Sequence, residues 1–177
     1  MVPLEALQTL LTFVTLISVP VGVFYHIMTL RNTKKNQDLQ LETRQAQMFM
    51  QFAERNRLSV IENRSIEGIS DVLDWEFENL DDFEAKYGRK TNPEAYRSWN
   101  FWMNYMEGMG VMVREGYIDI RLIALMSSGG IKRLWRKFQP MTYEWREKYD
   151  WPRALIEFEY LYDTLMDYAE KHPELQI

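Results

Sequence analysis

The sequence predicts an all-α protein, with an N-terminal single transmembrane helix continuing toward a cytoplasmic helical bundle. Three observations predict it. The run from Ala6 to Leu30 holds no Asp, Glu, Lys or Arg and is long enough to cross a bilayer. Through the rest of the chain apolar residues recur at steps of three and four. No stretch alternates with period two or carries an Asn-Gly hairpin signal.

As a helix, Leu7 to Leu30 would be about 36 Å long, against a hydrocarbon core of about 30 Å. A secretory signal would need a basic start, a shorter apolar stretch and an Ala-x-Ala site, and "MVPLEALQ" supplies none of these. A soluble core helix would carry charge on one face. The expectation is therefore an anchor over residues 1–36 and a helical domain over 37–177. Arg31, Lys34 and Lys35 follow the span while Glu5 precedes it. The positive-inside rule then places the N-terminus outside and the C-terminal domain in the cytoplasm of a single-pass membrane protein. Tyr25 and His26 fall near the inner end, where amphipathic rings suit the headgroups. With the domain inside, the glycosylation triplet Asn63-Arg64-Ser65 carries no weight.

The span has a polar stripe. Gln8, Thr12, Thr15, Ser18, Gly22, His26 and Thr29 follow one another at steps of three or four, so they share a face. Ser18 and Gly22 form a small-xxx-small step that admits a close neighbour, which points to packing against another transmembrane helix, of its own kind or of a partner subunit. The competing account is that the hydroxyls bond back to their own helix and the face meets lipid. Pro20 is expected to kink the helix.

A helical stripe follows at Leu39, Ala46, Phe49, Met50, Ala53, Val60 and Ile61, and the span is expected to continue through it as a stalk. Its heptad of Leu39, Ala46, Ala53 and Val60 is weakened as a coiled coil by Glu42 and Asn56. "GISDVLDWEFENLDDFEAKYG" keeps helical spacing through Ile69, Val72, Leu73, Leu80 and Phe83, and Gly88 ends it. Asn92-Pro93 reads as an N-cap with proline in the first turn. The helix behind it is apolar on two sides (Trp99, Trp102, Met106, Met109 and Val113; Phe101, Tyr105 and Met112), hence central. "REGYIDIRLIALMSSGG" predicts a turn, a short helix and a loop. Ile131, Leu134, Trp135, Phe138, Trp145 and Tyr149 mark another helix, bent at Pro140. Leu155, Phe158, Tyr162, Leu165 and Ala169 mark the last, closed by His172-Pro173.

Gly116, Ile118 and Asp119 in a G-x-I-D turn, Leu134-Trp135 ahead of Pro140, Arg146, and Phe158, Glu159 and Leu161 in an FE-x-L form a set. In this set the chain resembles a widespread prokaryotic family of membrane-anchored, all-helical domains of unknown function. The resemblance implies an anchored helical bundle and brings no activity, cofactor or partner with it.

Chemistry is sparse. The chain has no cysteine, which removes disulfides, thiolate catalysis and Cys-held metals. A net charge of −5 argues against nucleic-acid binding. The two histidines, His26 and His172, sit in the span and near the end, so neither a His triad nor a His metal site is expected. Asp71, Asp74, Glu78, Asp81, Asp82 and Glu84 could hold a hard cation, but without a Gly-punctuated loop they read as a solvated face. "SSGGIKRLWRK" places glycines before a helix start, a weak phosphate cradle lacking P-loop spacing. Its cations Lys132, Arg133, Arg136 and Lys137 suit anionic headgroups, a partner or the acidic 71–84 segment, although solvated cations on an amphipathic helix are the leading account of them. Arg146 and Glu159 are candidates for a structural ion pair joining the last two helices.

These features predict a membrane-anchored, non-enzymatic interaction protein with no cofactor: a subunit, scaffold or regulator of a membrane complex. The alternative is a membrane-tethered ligand sensor or effector in stress or phage-defence signalling, with a pocket lined by Trp99, Trp102 and Trp135. Eleven Met, six Trp and ten Tyr would suit an adaptable binding surface, but residues of these types more often fill the core of a helical domain, and that reading is preferred.

Overall fold

A computed structural model describes residues 3–62 and 66–175. Asn63-Arg64-Ser65 lies outside the described residues, as do the side chains of Asn56, Val60 and Ile61. The described residues form helices α1 (Leu4–Glu62), α2 (Ile69–Asp74), α3 (Leu80–Tyr87), α4 (Pro93–Arg114), α5 (Ile120–Lys148) and α6 (Ile156–Lys171). A 3-10 turn at Pro173–Leu175 follows. No strand occurs among them, so the fold is all-α.

The chain divides into two units, Met1–Arg44 and Gln45–Ile177. The sequence boundary at 36/37 precedes that division. The first unit consists of the N-terminal part of α1. Its described side chains are exposed apart from the half-exposed Gly22.

The second unit is a bundle built around α4, whose two apolar faces give it neighbours on both sides. α4 pairs most extensively with α6, α5 pairs with α6, and α2 and α3 bridge α4 and α5. On its other flank α4 meets the C-terminal part of α1. Phe49 is buried there and Phe52 stacks on Tyr105 at 5.0 Å. Gly110 lets α6 come close, since a Cβ there would overlap the Glu157 carbonyl.

Two element boundaries differ from the sequence expectation. The segment 69–87 is two helices rather than one. Trp75 turns extended (ψ 140) and buries its ring in a stack on Tyr87, 4.4 Å between centroids. Asn79 then caps a fresh helix by accepting from the Asp82 N–H. Conversely, Ser127-Ser128-Gly129-Gly130 is no loop: it lies inside the 29-residue α5. Burial of Ile123 and Ala124 on one side of it and of Ile131 and Leu134 on the other outweighs about 1 kcal/mol per glycine of lost helix propensity. Pro140 also lies within α5, and Pro20 within α1.

Candidate functional site

The family-type residues turn out to be fold-defining. Gly116, at φ +71, closes α4 in a Schellman motif: its N–H donates to Val113 O and that of Tyr117 to Met112 O. Ile118 is buried, and Asp119 then starts α5 by accepting from the Arg121 N–H at 2.8 Å. G-x-I-D is thus a helix stop, a core anchor and a helix start in four residues. The Gln45 amide braces this turn by donating to Gly116 O. Leu134, Trp135, Phe158 and Leu161 are fully buried, with Trp135 edge-on to Phe158 at 4.9 Å.

Arg146 Nη1 donates to Glu159 Oε2 at 2.7 Å, and both side chains are largely buried. Arg146 Nε donates to Ala154 O and the Tyr143 hydroxyl to Glu159 Oε1. The pair therefore fixes the start of α6 against the end of α5.

Sequence reasoning missed the charged anchor at the start of α6. α6 starts at Leu155, a left-handed residue (φ 54) whose side chain provides no cap. Glu107 of α4 serves instead, its Oε2 accepting from the Phe158 N–H at 2.8 Å. Desolvation raises the Glu107 pKa, opposed by the backbone N–H groups of Phe158 and Glu157. Nothing in the local pattern announces this residue, because the donor lies 51 positions away.

The four cations of α5 do not form one patch. Lys137 points inward and donates to the carbonyls of Leu73 and Trp75. It caps the end of α2 in the acidic 71–84 segment, and burial lowers its pKa while Asp74 and Glu76 partly restore it. Arg136 Nε reaches the Tyr162 hydroxyl at 3.3 Å, and Arg133 Nε bonds back to Gly129 O. Lys132 is half-buried. The phosphate cradle is likewise overturned: Gly129 and Gly130 are mid-helix, so their amides are not the free donors of a helix N-terminus.

Several acidic residues of 71–84 are engaged structurally. Asp71 caps α2 by accepting from the Gly68 N–H, Asp82 pairs with Lys86, and Asp81 and Glu84 share Lys148. Among the described residues no three His, Asp or Glu side chains are grouped as metal ligands. Of the three tryptophans expected around a pocket, Trp135 is sealed in the core, and Trp102 donates its indole N–H to Glu67 O. Trp99 alone borders a cavity, of about 420 Å³, between α3, α4 and α5. Tyr96, Trp145 and Tyr149 join it there. The three do not converge.

In the first unit, the hydroxyls of Thr12, Thr15, Ser18 and Thr29 donate to carbonyls of their own helix, those of Gln8, Leu11, Thr15 and Tyr25. A Cβ added at Gly22 would meet nothing within 4 Å. The side chains of Gln8 and His26 make no hydrogen bond among the described residues. Arg31, Lys34 and Lys35 are exposed.

Fold and site together define, among the described residues, a helical bundle preceded by one helix long and apolar enough to cross a membrane, with an aromatic-lined cavity between α3, α4 and α5. The model of a domain of unknown function, DUF4760, matches residues 12–165, most of both units, and the chain belongs to that family. No curated protein and no solved structure matches it.

Proposed function

We propose that this chain is a membrane-anchored, non-enzymatic interaction protein, a subunit, scaffold or regulator of a membrane complex. The observation that carries the reading is the first unit: a run of Leu, Ile, Val and Phe side chains, exposed among the described residues and matching a bilayer in length. The basic flank at Arg31, Lys34 and Lys35 orients it with the bundle in the cytoplasm. Because the Thr and Ser hydroxyls are satisfied within the helix, what a neighbouring helix would find is the small surface of Ser18 and Gly22. The non-enzymatic part is supported by the charged side chains that chemistry would need. Arg146, Glu159, Glu107, Lys137 and Lys148 are all engaged in holding helices together.

The experiment is sizing with light scattering, joined to crosslinking in native membranes. The expected result is an assembly larger than one chain, with crosslinks from the Ser18–Gly22 face that Ser18→Leu/Gly22→Leu removes. A clean monomer without crosslinked neighbours would end the reading.

A second reading, a membrane-tethered ligand sensor or effector in stress or phage-defence signalling, is favoured by one observation. The cavity at Trp99 lies within the size range of small-molecule sites and combines an apolar wall with a few polar groups.

A further inference from the structure

The cavity between α3, α4 and the C-terminal half of α5 has an asymmetric charge. Its floor is aromatic and apolar, formed by Phe83, Trp99, Met141 and Trp145. The polar groups at its mouth are Glu84, Arg89, Lys90 and Thr91. Two of these are already satisfied. Glu84 accepts from Lys148 at 2.8 Å through one oxygen and from the Tyr149 hydroxyl at 2.6 Å through the other. The Thr91 hydroxyl donates to Glu84 O and Gly88 O. Arg89 and Lys90 are different. They stand side by side in the turn between Gly88 and Thr91, are exposed, and make no hydrogen bond or ion pair among the described residues. The Tyr96 hydroxyl on the cavity wall is likewise without a partner among them. The one carboxylate is thus neutralised by its own neighbours, while two cations and a hydroxyl remain over an aromatic floor.

We propose that this cavity binds an anionic amphiphile, its short apolar chain lying on Trp99 and Trp145 and its phosphate or carboxylate held by Arg89 and Lys90. The assignment deepens the sensor reading and rests on it. Guanidinium and ammonium groups are the usual holders of both anions, arginine as a planar fork and lysine as a point charge. An apolar floor selects against inorganic phosphate, and an unpaired cationic mouth selects against a neutral alcohol. A bilayer lipid and a freely dissolved amphiphile share this chemistry, and the test separates them.

The test uses the full chain in phosphatidylcholine nanodiscs, with empty discs as blank, and follows tryptophan fluorescence during titration with octyl phosphate. A saturable change is expected, with 1-octanol and inorganic phosphate at least tenfold weaker. Arg89→Ala/Lys90→Ala, in an exposed turn, is expected to weaken octyl phosphate at least tenfold and to leave the melting temperature unchanged. Discs containing phosphatidylglycerol assign the source: a several-fold loss of apparent affinity means that bilayer lipid competes for the cavity, and no loss means a dissolved amphiphile. Octanol binding as well as octyl phosphate, or undiminished binding by the double variant, overturns the anionic class while leaving the sensor reading standing. No saturable response to either compound removes both.

Discussion

The two units use the same apolar residue types in opposite ways. In Gln45–Ile177 the large side chains are turned onto one another: Trp99, Trp135, Phe138 and Phe158 are essentially inaccessible. In Met1–Arg44, Phe13, Ile17, Val21 and Phe24 are each more than half exposed. The bundle makes its own apolar environment, whereas the leading helix leaves its apolar side chains exposed. Hydrophobicity alone does not separate the two cases. Periodicity does, because charged residues recur along the bundle helices while residues 6–30 are uncharged all round.

The contrast breaks most visibly on truncation. Trp135→Ala is expected to cost about 3–5 kcal/mol of bundle stability, as for other fully buried aromatic residues. Phe24→Ala should leave chemical denaturation of the bundle within about 0.5 kcal/mol of wild type. Equal losses at the two positions would mean that the first unit is part of the folded core.

Next in size is the Arg146–Glu159 pair. Arg146→Ala strands a carboxylate that is largely buried, and a loss of about 2–3 kcal/mol is expected, discounted for the remaining exposure. Arg146→Met with Glu159→Leu should recover most of it, since the charge is then gone from both sides. Urea denaturation of the single and double variants checks this. A double variant no better than Arg146→Ala would mean that the pair contributes through the Ala154 and Tyr143 hydrogen bonds instead.

Glu107 sharpens the comparison through pH. Its folded pKa is raised, so the folded state holds that proton more tightly than the unfolded chain does. The stabilisation is fully present below the ordinary glutamate pKa and is lost as pH rises through the raised one. Glu107→Gln should therefore flatten the stability profile across that window and be neutral or slightly stabilising at pH 7, since an amide oxygen still accepts from Phe158. Glu107→Ala should cost about 1 kcal/mol by leaving that N–H without its cap. An unaltered pH profile in the Gln variant would reassign the titration.

The smallest effect concerns Asp150. It ends α5 at φ 47, with its N–H on Glu147 O and that of Trp151 on Arg146 O, the second Schellman motif of the bundle. Asp150→Gly should raise the melting temperature slightly, by no more than about 1 kcal/mol of stability. A loss would show that the aspartate side chain does something its backbone geometry does not reveal.

Local chemistry was legible in the sequence wherever the answer lies within a few residues. Asn92-Pro93 starts α4 as its spacing requires, the stripe of Phe158 and Leu165 points inward, and Gly88 ends α3. The failures are long-range. Ser127 to Gly130 has the composition of a loop, and only packing of the flanking turns on other helices makes it helical. The break at Trp75 depends on Tyr87, twelve positions on. For Lys137 the acidic 71–84 segment was one expected destination, but its inward turn onto carbonyls more than sixty residues earlier was not legible. The cavity was misplaced for the same reason. Three tryptophans in sequence suggested one pocket, but their helical phases send Trp135 to the core, Trp102 to Glu67 and only Trp99 to the cavity wall.

Everything proposed about partner and ligand presupposes that lipid covers residues 6–30. Alkaline carbonate extraction of membranes carrying the intact chain tests that most directly. The account predicts that the protein stays in the pellet after carbonate and leaves it only with detergent, and that deletion of residues 1–36 moves the bundle to the supernatant. Release of the intact chain by carbonate would contradict it.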